Sequence, residues 1–421
     1  MIHHLLKIIR AQWKSNIWIY AELLIVVCAV WWMGDQFYVD TRTYYAPLGY
    51  DITNSWIFEV DYLAPGAPEY VADEGRLMDG GTEMFQLKAQ ILQHPKVEDV
   101  CLSFLSAPYA FGNTDTGIEP VDGDTAALGG STQCRYVTPE YFDMFRVKDI
   151  YGKEIAPQLE GVQNPIIVTE DMAQKFFHTR DVRGRQIKYP SADGERMTIT
   201  AVSMPYRDNE YVRSEPFFYK IITPQNANGF FGRDMLGYGE LCVRMKQKMS
   251  QAEMNEFLRE MGDRLTVNNL YVYSASSIER YKEDQLLKTE SEQSRKFSMM
   301  AFLLVNVFFG IVGTFWLRGQ SRQAEVGLRI ALGANKGNVR SFMYLEGMLL
   351  LLLTVPFSLL FAINMIYFDV PDTYRLLYTL GRFLITYGGS YLLMAGMIVL
   401  GIWFPVRKAE QVAPAEALLY E

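Results

Sequence analysis

"RQAEVGLRIALGANKGNVRSFMYLEGMLLLLL", residues 322–353, changes character in its middle. Its first half is charged and helix-forming and is broken by Gly333 and Ala334; its second half is apolar enough to enter a bilayer. If the charged half lies on the cytoplasmic face, it presents a surface on which another protein can push.

The rest of the chain must supply the membrane and the load. The 421 residues are 49% hydrophobic and 14% aromatic, yet 21% are charged. This balance fits a membrane protein that carries a large water-soluble part. Four apolar runs, residues 17–33, 298–317, about 345–368 and 383–404, are each near the ~20 residues a helix needs to cross a bilayer. The first reads as a retained anchor rather than a signal peptide, because Val30, Trp31 and Trp32 stand where a small-residue cleavage site would be.

Charge orients the runs. Lys7, Arg10 and Lys14 precede the first with no acid among them, and Arg318, Arg322, Arg329, Lys336 and Arg340 face only Glu325 between the second and third. Both segments are expected to be cytoplasmic. Residues 34–297 carry 28 Lys plus Arg against 40 Asp plus Glu, a net of −12, which is consistent with an exported domain. The expected topology has both termini inside, one large outer domain between spans one and two, and a short outer loop at 369–382. Residues 1–16 place Leu5, Leu6, Ile9 and Trp13 along one side, as an interfacial helix would.

The outer domain repeats an order of elements. "WIFEVDYL" from Trp56 precedes the helix-like "EMFQLKAQILQHPKVEDV" and the β-rich "VCLSFL"; "GELCVRMK" from Gly239 precedes "SQAEMNEFLREMGDRL" and "NLYVYSAS". Two βαβ halves, about 51–111 and 232–277, are expected to share one sheet in the ferredoxin-like manner. An inserted strand-rich subdomain is expected at about 112–231. Residues 278–296 are charged, free of Gly and Pro, and run into the second span as a stalk. The fold class is therefore four transmembrane helices with a large α+β domain outside. The segments that follow are a coupling loop at 318–342 and a tail at 405–421.

Catalytic and metal-binding patterns are missing from the sequence. His3, His4, His94 and His178 are dispersed, with neither HExxH nor a Cys/His ligand spacing. There is no GxSxG elbow, and "GANKGN" lacks the spacing of a phosphate loop. Counting twelve positions from Asp122 reaches Gln133, so an EF-hand is not supported, and the segment reads as a polar surface turn. The chain is expected to be no enzyme, to hold no metal or cofactor and to bind no nucleic acid. Cys28 lies in the first span, which leaves Cys101, Cys134 and Cys242 outside; one disulfide between two of these is allowed, and the sequence does not choose the pair. Glu22 and Glu346 lie just inside spans, where an acid is either functional or reaches the interface or a nearby Arg. In the second span Asn306, Gly310, Gly313 and Thr314 form a small or polar stripe, expected to be a transmembrane contact.

"AEVGLRIALGANKGNVRSFMYLEG" resembles the cytoplasmic loop of the permease superfamily that contains the MacB macrolide exporters, the LolC and LolE lipoprotein-release subunits and FtsX. Its matching residues are Glu325, Gly327, Arg329, Ala331, Leu332, Gly333, Ala334 and Glu346. "YVTPEYFDMFRV", "NPIIVTEDMAQKFF", "RGRQIKY" and "MTITAVS" are similar to the MacB-type periplasmic core, and "PVRKAEQVAPAEALLYE" to that family's closing segment. The resemblance implies an ABC transporter permease in the bacterial inner membrane, its large domain in the periplasm. It also implies that residues 325–334 couple to an ATPase. Only about sixteen residues precede the first span, so that ATPase, with its ATP and Mg, is expected on a separate chain. A second permease subunit, a copy or a paralogue, is implied as well, and in tripartite efflux a periplasmic adaptor and an outer-membrane channel. Leu419 departs from the Arg of many relatives. Two functions stay open: export of a peptide, drug, lipid or lipoprotein, and FtsX-like regulation of a cell-wall hydrolase.

Overall fold

The computed structural model describes residues 13–72, 79–110, 112, 114–122, 132–190, 195–321 and 336–411. The chain divides into two compact units, one built from residues 46–288 and the other from 1–45 with 289–421.

The 46–288 unit is organised by one sheet. Strands β1 (Ser55–Tyr62), β2 (Val97–Phe104), β10 (Gly239–Met245) and β12 (Leu270–Ser277) stand in the order β12-β1-β10-β2, all neighbours antiparallel. This is the ferredoxin-like order, and it places the two βαβ halves in one sheet. Alternation decides the faces: Trp56 and Phe58 enter one core, and Ile57 enters the other.

Two helices cover the first face. In α2 (Gly80–Leu92) the Asp79 side chain accepts from Thr82 N–H, and Met84, Leu87 and Ile91 point inward. In α6 (Gln251–Met261) Ser250 and Glu253 form a reciprocal capping box, and Met254, Phe257 and Met261 are buried. Gly81 is required where α2 begins, because a Cβ there would stand 2.4 Å from Asn228 N.

The insertion contributes β3 (Thr114–Thr116), β4 (Glu119–Pro120), β5 (Thr132–Val137), β6 (Ile166–Thr169), β7 (Gln186–Lys188), β8 (Arg196–Ser203) and β9 (Phe217–Ile221). It is not a separate sheet. The order continues β2-β5-β9-β6-β8-β7-β4, with β5–β9 and β6–β8 parallel. The join is narrow, since β2 and β5 pair only at Ser103–Val137 and Phe104–Tyr136. Half of the expected Gly- and Asp-rich loop lies outside the described residues, and its described part forms β3 and β4.

Arg244 on β10 is 1% exposed. Its Nε donates to Met144 O at 2.6 Å, Nη1 to Thr53 O at 2.8 Å and Nη2 to Asp51 O at 2.5 Å. The disulfide that the sequence allowed is not formed, and all four cysteines are free. Cys101 and Cys242 oppose each other across β2 and β10, whereas Cys134 lies in the insertion's own core. Burial pushes the Cys101 thiol up and holds Cys134 up at about 12, so neither supplies thiolate near neutral pH.

Asp99 on β2 shows the opposite of acid stabilisation. Burial, and then the neighbouring Asp143 and Glu140, raise its carboxyl to about 6 against the opposing hydrogen bond from Val100 N–H. The folded protein thus holds this proton to a higher pH than the unfolded chain does. That contribution to stability is complete below the ordinary carboxylate value near 3.8 and is lost as pH rises through about 6. Asp99→Asn is expected to stabilise the unit at pH 7.5 by about 1–2 kcal/mol, allowing for partial exposure, and to have little effect at pH 4. Urea unfolding at the two pH values measures this, and equal shifts at both would contradict it.

The remaining unit is helical. Helices α1 (Trp13–Tyr44), α7 (Ile278–Ser321), α8 (Lys336–Tyr367) and α9 (Leu380–Gln411) each contain a stretch long and apolar enough to cross a membrane. The first differs from the expected 17–33, because the helix continues past Met33 through two acids to Tyr44. Likewise α9 continues past the expected end at 404 to Gln411. Helix α7 belongs to both units and has no break between its charged and apolar parts.

Candidate functional site

Apolar side chains hold the four long helices together: Leu23 and Val27 of α1, Ile311 and Phe315 of α7, Leu350 of α8, and Met394 and Ile398 of α9 share one core. Gly347 allows α8 to approach, since a Cβ there would stand 2.8 Å from Ile398 Cγ2 and Ile402 Cδ1. Polar groups bind the same two helices further along: the Ser358 hydroxyl lies 2.7 Å from Tyr387 OH and 2.6 Å from Tyr391 OH, and Thr354 Oγ1 lies 3.0 Å from Tyr391 OH.

Some of the expected site residues are brought together here. Thr314 Oγ1 stands 3.2 and 3.1 Å from the two Glu22 carboxylate oxygens, and a Cβ on Gly310 would be 3.7 Å from Glu22 Oε1. An acid read as separate from the small-residue stripe is therefore partnered by it. The other half of the stripe does not make the expected contact within this chain. Asn306 is exposed and its amide folds back onto Phe302 O, while a side chain at Gly313 would meet nothing within 4 Å. The reason is rotational: Thr314 faces α1, whereas Asn306 and Gly313 lie on the exposed side of α7. Glu346 is buried, 4% exposed. Glu325, Gly327, Arg329, Ala331, Leu332, Gly333 and Ala334 lie outside the described residues, as do residues 1–12 of the expected interfacial helix and the last ten residues of the tail.

A second cluster was not anticipated from the sequence. Arg382, at the start of α9, donates Nε to Asp35 Oδ1 at 2.9 Å and Nη2 to Asp35 Oδ2 at 2.5 Å; the two residues are 1% and 0% exposed. Its remaining nitrogen donates to Asp372 O and Leu376 O, and Tyr378 lies under the guanidinium at 4.6 Å. Next to this pair, Asp40 accepts from Lys296 Nζ at 2.6 Å and from Arg375 Nη1 at 2.8 Å, and Arg375 Nε donates to Asp372 Oδ2 at 2.5 Å. Three acids meet three bases. Burial would raise the Asp372 carboxyl, but the Arg375 N–H and guanidinium hold it below the ordinary value. The signal was available: acids just after the first apolar run and bases just before the fourth, at the same expected end of both.

Among the described residues, no three His, Cys, Asp or Glu side chains gather as a metal site. What the cluster can do is mechanical, since it fixes the ends of α1 and α9, the 369–379 loop and Lys296 of α7 to one another.

Similarity to known proteins bears on what is being fixed. Over 324 residues the chain is 22% identical to the macrolide export ATP-binding/permease protein MacB 1 of Yersinia pestis bv. Antiqua and to that of Yersinia pseudotuberculosis. The alignment covers 72% of this chain and 47% of the relative. Over that stretch the chain is similar to the MacB ATP-binding/permease proteins. The MacB-like chain spans about half the length of the curated relatives it matches. No family model matches it. Among solved structures, the periplasmic region of MacB from Actinobacillus actinomycetemcomitans aligns with 56% of this chain and 94% of its own, at 10% identity and a TM-score of 0.33. The extracellular domain of the noncanonic ABC-type transporter YknZ from Gram-positive bacteria aligns with 52% and 100%, at 13% identity and 0.29. With its four apolar helices, the MacB-like chain is a membrane protein.

Proposed function

We propose that the chain is the permease subunit of an ABC transporter in the bacterial inner membrane, its 46–288 unit in the periplasm. A separately encoded ATPase would dock on residues 325–334 and hydrolyse ATP with Mg. Closure of the ATPase pair would push on this loop, and α7 would carry the displacement outward to the 46–288 unit. The work would serve export or efflux of a peptide, drug, lipid or lipoprotein. A second permease subunit would complete the assembly, and an adaptor and outer-membrane channel would extend it where efflux is tripartite.

One observation carries this reading. The segment that resembles the family's coupling segment starts at Ala324, three positions beyond the last described residue of α7, and α7 is a single helix over Ile278–Ser321. At ~1.5 Å per residue such a helix is about 66 Å long. It can transmit displacement only if it is not interrupted.

The loop is the place to test it. Gly333→Pro, and separately Glu325→Lys with Arg329→Glu, are expected to lower the ATPase turnover of the reconstituted complex by about tenfold, with partner co-purification reduced. The charge swap leaves the loop's net charge unchanged, so a loop that merely adheres to anionic lipid would tolerate it. Turnover and co-purification equal to those of the unaltered protein, at matched expression and monodispersity, would remove the docking assignment.

A further inference from the structure

In the helical unit, α1, α7 and α9 leave a groove of about 730 Å³ between them. Its walls include Val30 and Phe37 of α1, Phe297 and Leu304 of α7, and Ile385 and Leu393 of α9. Phe37 and Phe297 meet edge to face at 5.8 Å, and both remain exposed. The hydroxyls that α9 adds to the lining are answered within that helix: Ser390 Oγ donates to Thr386 O at 2.7 Å, and Thr386 Oγ1 to Phe383 O at 3.4 Å. The surface on offer is therefore apolar.

Length and charge identify what fills it. Val30 and Arg42 mark the ends of the α1 wall, and at ~1.5 Å per residue they stand about 18 Å apart. That is close to the depth of one leaflet, half of a hydrocarbon core of about 30 Å. Arg42 is the only charged side chain in the lining, and it is exposed. The two acids nearest to it along α1 are already taken, Asp35 by Arg382 and Asp40 by Lys296 and Arg375. The polar partner of Arg42 is neutral, the Tyr38 hydroxyl at 3.4 Å from Nε. A free guanidinium charge at the end of an apolar groove one leaflet deep matches a molecule whose long chain ends in a phosphate.

We infer that the groove holds an anionic phospholipid of the bilayer, with one acyl chain along α1 and the phosphate on Arg42. With the amino-terminal end of α1 inside the cell, this is a lipid of the outer leaflet. It touches α1, α7 and α9 together, so it fills a gap in the packing of the unit. The site stands whether or not residues 325–334 dock an ATPase.

The test uses the full chain in mild detergent, read by native mass spectrometry with palmitoyl-oleoyl phosphatidylglycerol, with phosphatidylcholine of the same chains, and with inorganic phosphate. One phosphatidylglycerol per chain is expected to bind ahead of all others, about fivefold more tightly than phosphatidylcholine. Inorganic phosphate has no chain to bury and is expected not to displace it. Arg42→Gln is expected to remove the preference between the two lipids. Gly389 lies in the groove wall and a Cβ there would meet nothing within 4 Å, so Gly389→Leu fills the groove without a clash. It is expected to weaken both lipids about tenfold, as exclusion of two buried methylenes would. The melting temperature of the lipid-free protein is expected to stay level or rise, because Leu is the better helix former. Should Gly389→Leu fail to fold, Arg42→Gln, on an exposed side chain, decides alone. Four results would overturn the inference. These are equal retention of the two lipids by the unaltered chain, displacement by inorganic phosphate, and retention unaltered by either substitution. The fourth is loss of a two-chain species in Gly389→Leu with lipid retention intact, which would assign the groove to a second copy.

Discussion

Arg382→Met is expected to destabilise the helical unit by about 3–5 kcal/mol, since it leaves the Asp35 carboxylate buried without its cation. Asp35→Leu alone is expected to cost a similar amount for the mirror reason. The informative variant is the double one. With both charges replaced by apolar groups, the penalty of an uncompensated ion disappears, and stability is expected to recover in large part. Recovery is incomplete because the carbonyls of Asp372 and Leu376 still lose the donor that Arg382 supplied. Thermal unfolding of the four proteins in one lipid composition completes the cycle. Single substitutions that simply add in the double would show that the two residues do not interact.

Arg244→Met is expected to have an effect of similar size in the other unit, about 3–5 kcal/mol, by a different route. No buried carboxylate is abandoned, because Asp51 is partly exposed and Arg146 also reaches it. Three main-chain carbonyls, of Asp51, Thr53 and Met144, lose their donor instead, at about 1–3 kcal/mol each before relaxation. Arg244→Lys is expected to restore little, since an ammonium does not reproduce a planar fork that reaches three acceptors. Trp56 is the only tryptophan between residues 46 and 288, so its fluorescence reports unfolding there once the other six are replaced by Phe. Hydrogen exchange should accelerate around residues 51–55 and 144–147. Unchanged exchange in those segments would assign Arg244 a lesser role.

The parts that were legible in the sequence are those governed by local periodicity. Four apolar runs of 17 to 24 residues and a repeated strand-helix-strand order are each written in stretches continuous along the chain. The parts that were not legible depend on partners far away in the chain. Asp35 and Asp40 looked like the end of an apolar run because each lowers the hydropathy of its window. Their cations, Arg382 and Arg375, stand 347 and 335 positions later and remove the penalty that a window assigns to them. The small-residue stripe shows the complementary limit: spacing identified a face of α7, but whether Thr314 or Asn306 meets α1 depends on a rotation that spacing does not fix. The cysteines were ambiguous for the same reason, since only strand register places Cys101 opposite Cys242.

The order of strands also sets a schedule for biogenesis. Strand β1 is bonded on both edges, to β10 and β12, and both of these lie beyond residue 238. When β1 leaves the ribosome neither neighbour exists, and it must wait for the whole insertion to be made. The insertion has no such dependence, because the core that contains Ile118, Val168, Met197 and Phe218 draws only on its own residues. The middle of the domain can thus be complete while its frame is still two open strand edges, and the long sequence separation makes closing that frame the slow step. During that interval the apolar β1 segment around Trp56 and Phe58 is an exposed edge able to pair with another chain. Yield of the folded protein should therefore depend less on the insertion than on how long residues 55–62 are shielded before residue 277 has been made.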